Sequence, residues 1–348
     1  MSKTARPMTA GGLLALASAV AFGATTPMVQ RFGRGLGSFT TAALLYLGAA
    51  LFSALPRARR ERAGLRRSDL PRLLVVASLG AVVAPVALAW GLQHTSGVSA
   101  SLLLNLEAVF TVLLARAFWA EPIGARAGGA LLAMTAGGVL LVAAAPSFRP
   151  GAGWGALAVV GATMAWAADN AVGRPLADAD PTRVVFAKGA LGAAASAALA
   201  VAFREAPPSG EAVAALAACG ALGYGASLSL YLRAQREIGA ARTGSIFAAA
   251  PFVGAALAWA MGQRAAGPAT FAAAGLFAAG LWLHLTERHE HVHTHVAVEH
   301  NHAHSHDDPH HDHVHDVYPP GEHSHPHRHE PTTHAHPHGL DLHHRHRH

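Results

Sequence analysis

The stretch LNLEAVFTVLLARAFWAEPIGARAGGALLAMTAGGVLLV, residues 104–142, decides how the rest of the chain is read. Two apolar runs flank a short turn that carries Glu121, Pro122 and Arg126. With the residues before it, the first run reaches about twenty residues, enough for a helix to cross a bilayer core of roughly 30 Å. The second run is of similar length. One acid, Glu107, stands inside the first run, with Asn105 two residues before it.

Outward from this stretch the pattern repeats. Apolar runs between charged or Pro-rich breaks give ten candidate spans, at 8–29, 36–55, 70–91, 97–119, 125–145, 151–172, 182–203, 211–232, 240–262 and 267–286. Of the 348 residues, 52% are hydrophobic and 13% charged. The charged share is about half that of soluble domains. Backbone polar groups in lipid must be satisfied internally, so the spans are expected to be helices. The alternating ten-residue strands of a membrane barrel do not appear. Lys3 and Arg6 before the first run resemble a secretory signal, but the run continues past the small residues at 21–24 and is expected to stay as the first span. Cys219 stands alone, which excludes an intrachain disulfide and a cysteine metal cage.

Lys and Arg set the expected orientation. The loop 56–72 carries seven arginines. With that loop in the cytoplasm, the inward loops and ends up to Arg288 hold sixteen Lys and Arg, and the outward loops five. Both termini then lie in the cytoplasm, with the spans in the plasma membrane. The basic loop suits anionic lipid headgroups; nothing points to nucleic acid. No nucleophile elbow, phosphate-cradling Gly loop or HExxH motif appears, so an enzyme is not expected.

The two halves of the apolar part look alike. A shift of 142 residues superposes Gln93 on Gln235, Gly97 on Gly239, Ala108 on Ala250, Phe110 on Phe252 and Gly138 on Gly280. Five spans per half is an odd number, so a repeated unit must enter the membrane upside down relative to its twin. Inverted repeats with a midplane site between them are an architecture of secondary transporters.

The stretch 104–142 resembles the end of an EamA repeat, of the drug/metabolite transporter superfamily. GYGASLSLYLRAQREIGAARTGSIFAAAPFVGAALAWA, 223–260, is similar to the matching part of a second repeat, and AWAADNAVGRPL, 165–176, to that repeat's start. The resemblance spans residues 10–286. It departs from the family pattern at Ala108, where Pro is frequent, and at Gln263, where an acid is frequent. It implies a secondary transporter of small metabolites, working as an exporter by alternating access. The expected fold is an all-α integral membrane protein of ten transmembrane helices. Two inverted five-helix repeats, 1–145 and 146–286, precede a disordered tail, 287–348.

Ionisable residues inside spans are costly and mark cavities, partners or pathways. Glu107 near the midplane is a candidate for substrate binding or for exchanging a proton against substrate, and Asn105 accompanies it. Asp169 and Asn170 near the inner end of the sixth span face the depth of Lys188 in the seventh, which predicts an Asp169–Lys188 ion pair. Trp166, Tyr224 and Tyr231, with Ser227 and Thr243, are candidate cavity residues; Trp and Tyr are also common at membrane interfaces.

The tail holds 23 of the 25 histidines, ten acids and four arginines, with no Lys, Cys or Met. Its formal charge with neutral imidazoles is −6 against +12 for the rest. Neutral imidazole is the commonest metal ligand. His289, His291, His293, His295, His300, His302, His304, His306, His310, His311, His313 and His315 form its densest run. Imidazole and carboxylate without thiolate suit Zn, Ni, Co or Cu(II) rather than Cu(I). No cofactor is expected for transport itself. Two alternatives stay open. Divalent metal is the cargo and the tail buffers or senses it, or the chain is a non-transporting membrane-anchored metal or pH sensor. The oligomeric state is not legible.

Overall fold

The computed structural model describes residues 5–55, 65–119, 123–144, 152–173, 176, 179–238, 240–263, 267–286, 290–294, 298–304, 323–329 and 333–337. Up to residue 286 the described secondary structure is all helical. The first half contains α1 (Ala5–Phe32), α2 (Ser38–Ala54), α3 (Leu70–Ser78), α4 (Ala84–His94), α5 (Gly97–Leu103), α6 (Leu106–Trp119) and α7 (Ala125–Ala143). The second contains α8 (Ala152–Gly173), α9 (Pro181–Ala202), α10 (Gly210–Gly220), α11 (Ser227–Ile238), α12 (Ala240–Phe247), α13 (Ala250–Ala260) and α14 (Pro268–Leu285).

Seven helical stretches among the described residues are long and apolar enough to cross a bilayer: Ala10–Phe32, Arg67–His94, Gly97–Phe118, Ala125–Ala143, Thr182–Ala202, Gly210–Ala234 and Pro268–Leu285. The other three expected spans fall short for visible reasons. Helix α2 is 17 residues long. Helix α8 has the length but carries Asp169 and Asn170. The ninth is cut into α12 and α13. Large apolar side chains point outward, Val201 at 80% exposure and Leu132 at 75%, while Leu45 and Phe277 are fully buried. In water such a surface would be a liability; in a bilayer it faces its own kind.

The halves share local irregularities. A π turn, Leu79–Val83, joins α3 to α4, and another, Ala221–Ala226, joins α10 to α11. Their first residues are 142 positions apart, the shift read from the sequence. The helix pairs α5–α6 and α12–α13 are likewise each broken, at Leu104–Asn105 and Ala248–Ala249. Packing between the halves follows the same exchange. Helix α1 packs on α11 as α8 packs on α4, α1 on α13 as α8 on α6, and α2 on α10 as α9 on α3. Helices α2 and α9, and α7 and α14, pair with each other. Glycines let backbones meet: a Cβ on Gly48 or Gly220 would strike the main chain of α10 or α2.

Polar side chains tie the halves at the end carrying the loops after α1, α4, α9 and α13. Gln30 Nε2 donates to Leu92 O and Thr95 O, both at 2.8 Å. Gln263 accepts from Gly97 N at 2.6 Å and donates to Gln30 Oε1. The Glu205 carboxylate accepts from Phe39 N at 3.1 Å and from Thr40 N and Oγ1 at 2.7 Å. It thereby satisfies the free amides at the start of α2 and complements the helix dipole. Gly37 makes room for it, since a Cβ there would overlap the carboxyl.

In the tail, β1 (Glu290–Thr294) pairs antiparallel with β4 (Thr333–Pro337), and β2 (Val298–His304) with β3 (His323–His329). The physical reason lies in the sequence. Alternation of His with Val, Thr, Ala or Ser has the period of a strand, so a composition too polar for a packed core still carries a two-residue pattern that pairs.

Candidate functional site

The polar residues of the apolar region converge where α2, α6, α8, α9 and the two π turns meet. The break at Leu104–Asn105 starts α6 one residue before Glu107. Asn105 is buried, and both its backbone N–H, at 3.1 Å, and its Nδ2, at 2.9 Å, donate to Leu102 O, which fixes the chain at the break. Glu107 points across to α8, where Asn170 Nδ2 donates to its Oε1 at 2.9 Å.

Next to Asn170, Asp169 is buried to 4% exposure and its Oδ2 pairs with Lys188 Nζ of α9, as the sequence predicted. Asp169 Oδ1 is buried with no hydrogen-bond partner among the described residues. Against this pair lies Gly80, in the first π turn. A Cβ on Gly80 would overlap the Asp169 carboxyl and come within 2.6 Å of Lys188 Nζ. The π turn also turns Gly80 O toward two donors. Trp166 Nε1 donates to it at 3.1 Å and Tyr46 Oη donates to it from α2. Such turns leave carbonyls open to side chains and recur at functional positions.

Aromatic rings line the other side. Tyr224, in the second π turn, lies 5.5 Å from the Tyr46 ring, 5.8 Å from Phe22 and 6.5 Å from Trp166. Phe22 continues to Phe247 at 5.5 Å, and Phe247 to Tyr231 at 5.1 Å. Tyr231 is thereby joined to the cluster through two phenylalanines. Ser227 bonds to Ser18, with Oγ atoms 3.0 Å apart, and links α1 to α11. Thr243 is fully buried.

Both halves thus contribute to one polar cluster, by way of matched breaks and matched π turns. The profile of the EamA-like transporter family matches the sequence twice, over residues 9–143 and 153–286. The chain belongs to the EamA-like transporter family. The paired irregularities lie one set in each EamA segment. An uncharacterized transporter of Methanothermobacter thermautotrophicus is 36% identical over 73 residues, 21% of either chain, so the match spans about a fifth of that relative's length. A crystal structure shares the fold with a TM-score of 0.54 at 20% identity, over 79% of this chain and 96% of its own. The EamA protein is a multi-pass membrane transporter by family, and that family is not one of enzymes.

Of the residues named from the sequence, Glu107 bonds Asn170, Asp169 pairs with Lys188 and Trp166 lies near Tyr224 in this cluster. Sequence reasoning missed Tyr46, Gly80 and Phe22. Tyr46 was legible: a phenol inside an apolar span must find an acceptor. Gly80 was not, because a π turn leaves no mark in an Ala/Gly/Val run. Of the tail ligands, His291, His293, His300, His302 and His304 fall on β1 and β2. His289, His295, His306, His310, His311, His313 and His315 lie outside the described residues.

Proposed function

We propose that this EamA protein exports a small metabolite across the plasma membrane by alternating access between two inverted five-helix halves, 1–145 and 146–286, with both termini in the cytoplasm. The observation that carries the reading is the pair of helix breaks, Leu104–Asn105 and Ala248–Ala249, at corresponding places in the two halves. Interrupted helices in matched positions mark substrate sites in transporters built from repeats. Here one break opens directly onto Glu107, and its carboxyl reaches the other half at Asn170. The ten-span count follows if α2, α8 and the broken α12–α13 also cross. Five crossings per half then set the halves antiparallel.

Glu107, Asn170 and the Asp169–Lys188 pair form the polar contacts for cargo, with Tyr46, Trp166 and Tyr224 as its aromatic wall. Glu107 exchanges its Asn170 hydrogen bond for substrate or for a proton, which makes proton coupling part of the reading. Metal as cargo is the weaker alternative. Among the described residues up to 286 no three His, Cys, Asp or Glu side chains are grouped to hold a metal ion. Metal belongs instead to the tail, whose imidazoles bind Zn, Ni, Co or Cu(II) in the cytoplasm as a local buffer or sensor. The membrane-anchored sensor fits less well than a transporter, since it gives the buried charges no task.

The test is export. Cells expressing the protein, its Glu107→Gln variant or neither are loaded with a panel of amines, amino acids and other small metabolites, and efflux is followed alongside Zn, Ni and Co retention. The reading expects efflux of an organic solute that Glu107→Gln abolishes while the variant still inserts. Metal efflux with no organic cargo, or full export by Glu107→Gln, would overturn it.

A further inference from the structure

The register of the two tail ladders sets histidine against histidine. In β1·β4, His291 pairs with His336 and His293 with His334. In β2·β3, His300 pairs with His327, His302 with His325 and His304 with His323. Both ladders follow the pairing that a single hairpin would have. Residues directly opposite in an antiparallel pair share a face, with Cβ atoms about 4.5–5.5 Å apart, and positions two along each strand share that face too. Two successive pairs therefore place four histidine positions within one small patch. One register, shared by both ladders, sets all five pairs at once, because histidine alternates along each strand. The residues between them show what the other face carries: Glu299 opposite Arg328 and Ala303 opposite Ser324.

Four imidazoles suit a divalent first-row ion, tetrahedral for Zn²⁺ or planar for Cu²⁺ and Ni²⁺. A two-stranded hairpin alone is marginal in water. Cross-strand coordination supplies the missing stability, because metal binding to a site absent from the unfolded chain is also folding free energy.

We propose that the tail is a metal-registered hairpin. One divalent ion is bound across β1·β4 by the 291/293/334/336 set, and one across β2·β3 by four of the six histidines that pair with one another in that ladder. This rests on the metal-binding tail proposed above, and it adds that pairing, rather than histidine number, makes the strong sites.

The experiment uses the full-length protein in detergent, titrated with Zn²⁺ by calorimetry while far-UV circular dichroism follows strand formation. It compares a variant that keeps composition and moves three histidines to the other face of β3: His323→Ser, Ser324→His, His325→Pro, Pro326→His, His327→Arg and Arg328→His. A control exchanges two non-histidine positions, Ser324→Arg with Arg328→Ser. The proposal expects two tight ions and a gain of strand signal in the parent and the control. In the face-shifted variant it expects one tight ion, with affinity at the second site at least tenfold weaker. Equal stoichiometry and affinity in all three would overturn the register and leave a plain histidine-rich binder. Binding no stronger than in a truncation after Glu287 would overturn the metal-binding tail itself, and the register with it.

Discussion

The Asp169–Lys188 pair gives the sharpest handle on this transporter. Asp169 is 4% exposed and Lys188 20%. Gly80 leaves no room for water on one side of the pair, and Trp166 occupies the neighbouring space by donating to the same Gly80 carbonyl. Replacing Lys188 by Met removes the only cation bonded to Asp169 among the described residues and leaves a buried carboxylate. Breaking a buried pair this way costs about 3–5 kcal/mol, whereas replacing both members by neutral groups of similar shape is often near zero. Asp169→Asn alone should cost less, about 1–3 kcal/mol, because the longer Lys188 side chain can reach solvent. The double variant Asp169→Asn with Lys188→Met should then recover at least 2 kcal/mol of the larger single loss, a coupling of the size expected for residues in contact. The assay is a double-mutant cycle on thermal or denaturant unfolding in detergent, run beside transport in cells. If the pair only holds α8 to α9, the double variant regains both folding and export. If Asp169 also meets cargo through its free Oδ1, folding returns and export does not. A Lys188→Met protein as stable as the parent, or a double variant no better than the worse single one, would refute the pairing argument.

Three further outcomes are expected. Gly80→Ala should reduce export by one to two orders of magnitude, since overpacking costs about 1–3 kcal/mol and the added methyl must displace the Asp169 carboxyl. Gly161→Ala in α8, where a Cβ meets nothing within 4 Å, should be silent in the same efflux assay. Tyr46→Phe keeps the ring against Tyr224 and removes a donor to Gly80 O. Trp166 still satisfies that carbonyl, so unfolding should shift by no more than about 1.5 kcal/mol, while Trp166→Phe with Tyr46→Phe should lose clearly more than the two singles together. Gln263→Ala strips the acceptor from Gly97 N and a donor from Gln30. It should lower stability by about 1–3 kcal/mol, and Gln263→Glu, which keeps the acceptor, should recover part of that in the same melt.

Much of the membrane part was legible because hydropathy and charge act on long windows. Seven helical stretches meet the length and apolarity of a span within a few residues of where apolar runs placed them, and the Asp169–Lys188 pairing followed from depth alone. What escaped was local. The break at Leu104–Asn105 looks like any apolar run with one amide in it, and only the structure reveals the Asn105 side chain turned back onto Leu102 O. The π turns leave no residue signature, although the 142-residue shift already held their relation. In the tail the strands fall where His alternates with Val, Thr, Ala or Ser, a two-residue period that is plain in the sequence.

The internal repeat makes a scaffold that is alike on both sides, yet its chemistry is one-sided. Gly80 of the first π turn meets the Asp169 carboxyl on α8, while Gly223 of the second meets the Thr25 methyl on α1. Where α11 crosses α1, the contact is the neutral Ser18–Ser227 pair. A charged site therefore occupies one of two equivalent junctions, and it is built from both halves: Tyr46, Gly80 and Glu107 from the first, Trp166, Asp169, Asn170 and Lys188 from the second. Any movement of α6 against α8 must break the Asn170–Glu107 hydrogen bond, and any movement of the first π turn against α8 must take Gly80 O from Trp166. The Gly80–Trp166 contact is buried, and its members do not stay unpaired there without cost. Cargo or a proton that satisfies Glu107 in place of Asn170 lowers the cost of that movement, which is how occupancy of the site and displacement of the halves become one event. Removing the need for a partner should therefore uncouple them. Glu107→Leu, unlike Glu107→Gln, leaves nothing to satisfy on α6. It should bind no cargo while letting the halves move freely, seen as faster labelling of a cysteine placed beside Glu107 from either side of the membrane. Labelling as slow as in the parent would show that this hydrogen bond does not hold the halves together.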